Sequence, residues 1–201
     1  KGFVITRQGY GLPTRWVEVR EASHPVPDLR GQRAALEMLR ALADVPANEP
    51  VISLVSGGGS SLLSTPEPGI TFEELQSLNR GLLSAGTPIS EINTVRKHVC
   101  ASLGGKMARV CKAPIFQVII SDVPGDDPSV VASGPFCPDS STYSDALAVL
   151  ARWDVMASES ILSHLHRGEL GEVEETPKVA DKAFERLETC LLASASTSVL
   201  R

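Results

Sequence analysis

Apolar positions fall into two alternating patterns along this chain. Continuous runs at residues 51–55 and 115–120 are rich in Val, Ile and Leu, which predicts strands buried on both faces. Shorter runs open the chain at Lys1-Gly2-Phe3-Val4-Ile5, recur at residues 15–20 and return at 187–193, and predict three more strands. Between them apolar residues repeat at helical spacing. Leu36, Leu39 and Leu42 share one face of a helix that Asp28 caps and that ends near Ala43, before Pro46 and Pro50. Leu75, Leu78, Leu82 and Leu83 line another. The capping box Thr71-Phe72-Glu73-Glu74 starts it, Ile70 and Leu75 form a hydrophobic staple, and Gly86 stops it. A third helix is predicted over residues 94–103, capped by Asn93 or Thr94 and broken at Gly104-Gly105. Thr142-Tyr143-Ser144-Asp145 starts a fourth, reaching Trp153, and residues 158–167 form a fifth, stopped by Gly168. Residues 167–181 are charged and without period, so an exposed connection is expected there.

This β-α-β-α order predicts an α/β fold: a mostly parallel sheet with helices on both faces. Ligands of such sheets bind outside the carboxyl ends of the strands. The loops after residues 55 and 120 are therefore where chemistry is expected. The 201 residues suffice for a large domain core, and 42% hydrophobic against 21% charged residues is a globular balance. The apolar runs are far too short to span a bilayer, and no signal-peptide pattern opens the chain, so no membrane partner and a cytoplasmic location are expected. A net charge of −5 with no basic block argues against nucleic acid. An anionic ligand must then be held by local donors rather than by the global field. Cys100, Cys111, Cys137 and Cys190 form no CxxC pair and no zinc-finger spacing, and read as reduced core thiols.

The first strand-end loop is Ser56-Gly57-Gly58-Gly59-Ser60-Ser61. Three consecutive glycines are costly in backbone entropy, and fit a place where the chain turns tightly or meets a ligand closely. Gly57, Gly58 and Gly59 can aim several N–H groups at one anion, and Ser56, Ser60 and Ser61 add hydroxyls. The plainer alternative is a tight turn. No lysine follows as in GxxxxGK[ST], and neither GxGxxG nor GxSxG is present. Positive charge must come from elsewhere, and Glu91-Ile92-Asn93-Thr94-Val95-Arg96-Lys97-His98 offers it. Arg96 and Lys97 would fall in the first turns of the 94–103 helix, opposing its dipole, unless an anion offsets the penalty. A solvated basic pair is the alternative, and His98 fits a surface or core histidine equally well. The second strand-end loop, Ser121-Asp122-Val123-Pro124-Gly125-Asp126-Asp127, crowds three carboxylates that repel without a cation between them. Mg²⁺ suits such a set, with Asp122 nearest the strand end as first ligand and Asp126 as second. Asp127, before Pro128, shapes the loop, and a bare turn is the competing account. The small-residue turn Ala132-Ser133-Gly134-Pro135 can bring Ser133 and backbone amides of Gly134 to the same place. In the rigid turn His24-Pro25-Val26-Pro27-Asp28, His24 either touches a ligand or holds the turn.

In this order these motifs, with Leu103-Gly104-Gly105, resemble the glycerate 2-kinase family, the group with a MOFRL C-terminal domain, some members of which bear the name hydroxypyruvate reductase. The resemblance covers about residues 21–155. It implies an ATP-dependent kinase that phosphorylates the 2-hydroxyl of D-glycerate to 2-phosphoglycerate with a divalent metal, here Mg²⁺. It also implies two α/β domains, the first Rossmann-like, with the active site in the cleft between them. Phosphoryl transfer needs chiefly positioning and charge neutralisation, which these residues can supply. On that reading Arg96, Lys97 and Asp122 are catalytic. Ser56, Gly57, Gly58, Gly59, Ser60, Ser61, Asn93, Ser133 and Gly134 bind substrate or phosphate, and Asp122 and Asp126 hold metal. Two features of the family are not matched: an N-terminal Gly-Lys segment whose lysine is held to be catalytic, which Lys1-Gly2 is not, and the second domain. Residues 1–201 are thus expected to be an incomplete N-terminal domain that stops at Ser196-Thr197-Ser198-Val199-Leu200-Arg201. The reading leaves room for a homo-oligomer. A non-catalytic sugar-acid or phosphate-binding module is the second reading; a hydroxypyruvate reductase is the third, disfavoured by the lack of GxGxxG.

Overall fold

The computed structural model describes residues 1–194. The chain end at Ser196-Thr197-Ser198-Val199-Leu200-Arg201 lies outside the described residues. Strands β1 (Gly2–Arg7) and β2 (Val17–Ala22) pair in parallel, and α1 (Leu29–Ala43) packs on them. Strand β3 (Val51–Ser56) leads into the short α2 (Gly59–Leu62), followed by α3 (Phe72–Ser84), α4 (Ile89–Val99) and α5 (Lys106–Val110). Then come β4 (Ile115–Ser121), a 3-10 turn (Val131–Ser133), α6 (Tyr143–Arg152), α7 (Glu159–Glu169), a second 3-10 turn (Lys182–Arg186) and β5 (Leu187–Ser194). β3, β4 and β5 form a three-stranded sheet in that order, with every pairing parallel. The parallel α/β class read from the sequence is the class the chain adopts, with its strands in two sheets.

Local signals set most boundaries. Asp28 accepts from Gly31 N at 2.9 Å and caps α1. Thr71 and Glu74 close a reciprocal capping box on α3, and Thr142 and Asp145 do the same on α6. The α3 stripe Leu75, Leu78 and Leu82 is buried against Ile92, Val95 and Val99 of α4, with Tyr143, Ile161 and Leu165 completing the core.

Four expectations are corrected. The third helix spans Ile89–Val99 rather than 94–103, because it begins behind Pro88, whose fixed φ suits a helix start, with Glu91 in its first turn. Arg96 and Lys97 therefore sit in the last turn, where cations complement the dipole instead of opposing it. Gly168 lies inside α7 under the Tyr143 ring, and the chain turns instead at Gly171, φ +77°. Strands β3 and β4 are buried on one face only: Ile52 is 70% exposed, Leu54 76%, Phe116 42% and Ile120 49%. The 167–181 stretch is the largely exposed connection expected, but it is pinned at several points. Thr176 is buried, Arg109 Nη2 donates to Asp181 at 2.8 Å, and the Glu175 carboxylate accepts from Thr176 N at 2.7 Å and Tyr143 N at 3.1 Å. His98, fully buried, places Nε2 3.0 Å from Glu175. Burial pushes the Glu175 carboxyl up, but His98 and these amides outweigh it and hold the group at about 2.

Candidate active site

Three loops meet where parallel strands end. Asp122 follows β4 directly, Gly57 follows β3 directly, and His24 lies two residues beyond β2. The triple glycine lets them touch. A Cβ at Gly57 would stand 1.7 Å from Asp122 Oδ2, one at Gly58 2.7 Å from His24 Nε2, and one at Gly59 2.7 Å from Ala132 Cβ. Gly58 also has φ +79°, which disfavours any side chain. The glycines thus admit a carboxylate, an imidazole and a neighbouring turn against bare backbone. α2 then starts at Gly59, so its first N–H groups have no partner within the helix.

The serines are arranged by a buried relay. Ser133 Oγ donates to Asn93 Oδ1 at 2.8 Å and lies 2.8 Å from Ser60 Oγ, so Ser60 donates to Ser133. Ser133, with φ +58°, follows Ala132 at φ +51° and precedes Gly134 at φ +58°. Left-handed non-glycine residues cost roughly 1–3 kcal/mol each, and surrounding bonds must hold them. They do: Gly104 N donates to the Ser133 carbonyl at 3.0 Å, Gly105 N to that of Gly134 at 2.7 Å, and Met107 N to that of Pro135 at 3.1 Å. The Leu103-Gly104-Gly105 motif therefore clamps the Ser133 turn. Ser61 Oγ donates to the Gly58 carbonyl at 3.1 Å and shapes the loop from within. Ser56 is exposed at the strand end.

The cations divide. Arg96, one turn beyond Asn93 on α4, donates from Nε to Asn79 Oδ1 at 2.6 Å, and no carboxylate pairs with its guanidinium among the described residues. Burial lowers its pKa. Lys97 does not join the loop: its ammonium lies 3.2 Å from Asp139 Oδ1, the two side chains being 10% and 1% exposed. Asp139 also accepts from Ser141 Oγ at 2.8 Å and Thr176 Oγ1 at 3.0 Å. Burial opposes its charge, but Lys97 and the Ser141 bonds prevail and hold the carboxyl below its usual range.

Asp122 is exposed, and Asp126 takes φ +55° in the same loop. Asp127 Oδ1 accepts from Ser129 N at 2.8 Å, which fits its expected shaping role. No group of three or more His, Cys, Asp or Glu side chains able to hold a metal exists among the described residues. That donor set still fits Mg²⁺, which binds through one or two carboxylates and takes its other oxygens from phosphate and water. His24 is the residue sequence reasoning weighed without choosing; its rigid turn was the signal. No described helix is long and apolar enough to cross a membrane. The described cysteines are free thiols, with burial pushing Cys100 up to about 12 and Cys137 to about 11.

A family model described as a domain of unknown function, DUF4147, matches residues 1–166. The chain belongs to the DUF4147 family. Similarity to individual proteins extends beyond the matched segment. The chain is 41% identical over 199 residues to a glycerate 2-kinase of Pyrococcus horikoshii, covering 98% of this chain and 44% of that protein. Over 185 residues it is 44% identical to an Agrobacterium vitis protein provisionally named hydroxypyruvate reductase, covering 92% of this chain and 41% of that one. A crystal structure of Thermotoga maritima glycerate kinase superposes with a TM-score of 0.85 at 39% identity, over 97% of this chain and 45% of that one. A Pyrococcus horikoshii crystal structure gives 0.91 at 41% identity, over 98% and 45%. The chain spans less than half the length of these relatives.

Proposed function

We propose that residues 1–201 form the N-terminal, incomplete domain of a glycerate 2-kinase, which transfers the terminal phosphoryl group of ATP to the 2-hydroxyl of D-glycerate to give 2-phosphoglycerate. The observation that carries this reading is the convergence of His24, Gly57–Gly59 and Asp122 at the carboxyl ends of β2, β3 and β4, where ligands of parallel sheets bind. Similarity to relatives named glycerate 2-kinase or glycerate kinase supports it.

In this proposal the loop amides receive anionic oxygens of glycerate or phosphate, while the relay from Ser60 through Ser133 to Asn93 holds the loop that presents them. The Arg96 guanidinium neutralises charge, and the Gly134 turn holds Ser133 in place. Mg²⁺, when bound, would be held by Asp122 with Asp126 beside it, and would supply charge neutralisation on the phosphates. Lys97 is not part of this set, because Asp139 holds it. The test is a coupled assay of ADP release by the natural full-length polypeptide that carries this chain, with phosphorus NMR to identify the product. D-glycerate-dependent ADP and a 2-phosphate ester are expected. Absence of glycerate-dependent ADP, or NADH oxidation with hydroxypyruvate in its place, overturns the reading. Arg96→Ala is expected to weaken glycerate or phosphate binding more than folding; equal losses would contradict the role given to Arg96.

A further inference from the structure

Asn79 interrupts the apolar stripe of α3. It is 5% exposed among Leu75, Leu78 and Leu82, and a buried amide of this kind persists where its polar atoms are matched. Asn79 Nδ2 donates to the Leu75 carbonyl at 2.9 Å, and Asn79 Oδ1 accepts from Arg96 Nε of α4 at 2.6 Å. These two contacts fix the amide orientation, since neither survives an exchange of its oxygen and nitrogen.

A guanidinium held by Nε keeps Nη1 and Nη2 for another partner. Among the described residues these two nitrogens make no hydrogen bond and no ion pair. They are not sealed in the core, where the enclosed side-chain polar atoms without a partner are Thr65 Oγ1, Thr87 Oγ1 and Gln117 Nε2. Asn93, three residues earlier on the same face of α4, is in the same condition. It is 5% exposed, its Oδ1 accepts from Ser133 at 2.8 Å, and its Nδ2 has no partner among the described residues. The surrounding contacts set this pair beside the candidate site. Gln76, one turn before Asn79, donates to the Pro27 carbonyl of the His24 turn at 2.7 Å, and Asn93 reaches Ser60 through Ser133.

We propose that Asn79 is a positioning residue, and that the donors it organises, Arg96 Nη1 and Nη2 with Asn93 Nδ2, form the receptor for a substrate carboxylate. The identity of that substrate as D-glycerate rests on the kinase reading. The planar fork of a guanidinium offers two parallel N–H donors to a carboxylate, which a lysine cannot do. The two ends of the glycine loop decide between carboxylate and phosphate. Gly57 lies against the Asp122 carboxylate, which repels a second carboxylate unless a cation stands between them. Ser60, three residues on, is tied through Ser133 to Asn93, one helical turn from the uncompensated charge of Arg96. The substrate carboxylate is therefore assigned to the Ser60 end of the loop, and phosphate to the Gly57 end.

The test uses the natural full-length polypeptide that carries this chain. Asn79→Asp keeps the side-chain size and puts a carboxylate against Arg96 Nε, which neutralises the guanidinium. Asn79→Leu leaves Nε without an acceptor. Titration calorimetry reads D-glycerate and ATP, and saturation-transfer NMR reads two weaker probes, acetate and the neutral amide D-glyceramide. Both variants are expected to weaken D-glycerate and acetate by about tenfold or more, with D-glyceramide and ATP held within about threefold. The ratio of D-glycerate to D-glyceramide affinity is the readout that a merely structural asparagine would not move, since lost packing weakens both alike. Arg96→Lys, which keeps the charge and loses the fork, is expected to lower the same ratio and needs no change at Asn79. An unchanged ratio in these variants, or ATP weakened in place of D-glycerate, overturns the proposal. If the wild type binds acetate but not D-glycerate, and Asn79→Asp weakens acetate, the receptor stands and the kinase reading falls. If it binds neither, both fall.

Discussion

Lys97 separates a structural cation from a ligand-binding one, and Lys97→Met measures which it is. Its ammonium lies 3.2 Å from an Asp139 carboxylate that is 1% exposed. Removing one partner of a buried pair strands the other charge and costs about 3–5 kcal/mol. Asp139 keeps the Ser141 and Thr176 hydroxyls, so about 3 kcal/mol, the lower end, is expected here. In a domain of this size that is a fall in Tm of roughly 2–4 °C per kcal/mol. The assay is urea unfolding followed by far-UV circular dichroism, from neutral pH down to about pH 4. Asp139 titrates below its usual range, so its contribution is present above the unfolded carboxylate value and is lost as pH falls through the folded one. In Lys97→Met the carboxyl is buried without its cation and titrates higher, so the deficit is largest near neutrality and narrows toward acid. A double variant, Lys97→Met with Asp139→Leu, is expected to recover most of the loss, because it buries no lone charge. A deficit under about 1 kcal/mol, the range of surface pairs, joined to lost phosphate affinity, would refute the reasoning and return Lys97 to the site.

Ser133→Ala strips Asn93 Oδ1 of its buried donor and Ser60 of its acceptor, and should cost about 1–3 kcal/mol in urea unfolding; a neutral result would mean the relay does not form. Gly57→Ala puts a methyl where the Asp122 carboxylate lies, at an overpacking cost of about 1–3 kcal/mol unless Asp122 moves, and should weaken Mg-ATP binding in the full-length polypeptide. Titration calorimetry reads that loss, and unchanged affinity would separate Asp122 from the site. Glu175 sits at about 2, depressed, so its contribution is complete above the usual carboxylate range and disappears as pH falls toward 2; Glu175→Gln should flatten that part of the stability–pH curve.

Elements defined by local chemistry were legible. The box at Thr71 and Glu74, the cap at Asp28 and the box at Thr142 and Asp145 are each complete within four residues, so one window of sequence contains the whole cause. The start of α4 was not read because Asn93 and Thr94 look like caps, while the real start lies at Pro88 with no side-chain cap at all. Asn93 instead spends its amide oxygen on Ser133, a contact made across the fold. That shift of register reversed the argument from the dipole. Arg96 and Lys97 looked alike as neighbours in sequence, but successive helical positions face different surroundings: one meets Asn79, the other Asp139. The site loop shows the same division. Three glycines announce close approach, but that the approaching groups are Asp122, His24 and Ala132 follows only from which strands end together.

The mostly apolar run of β3, interrupted at Ser53, was read as burial on both faces, and the structure leaves Ile52 and Leu54 largely exposed while Ser53 is buried. The disagreement has a physical cause. Composition reports the surroundings in which a strand is stable, and a run of Val, Ile and Leu is the mark of an interior parallel strand. An open apolar face beside a free edge is a pairing hazard that proteins manage with charge, proline or cover. The outer positions Ile52, Leu54, Phe116 and Ile120 carry none of those guards. Cover is the device that remains.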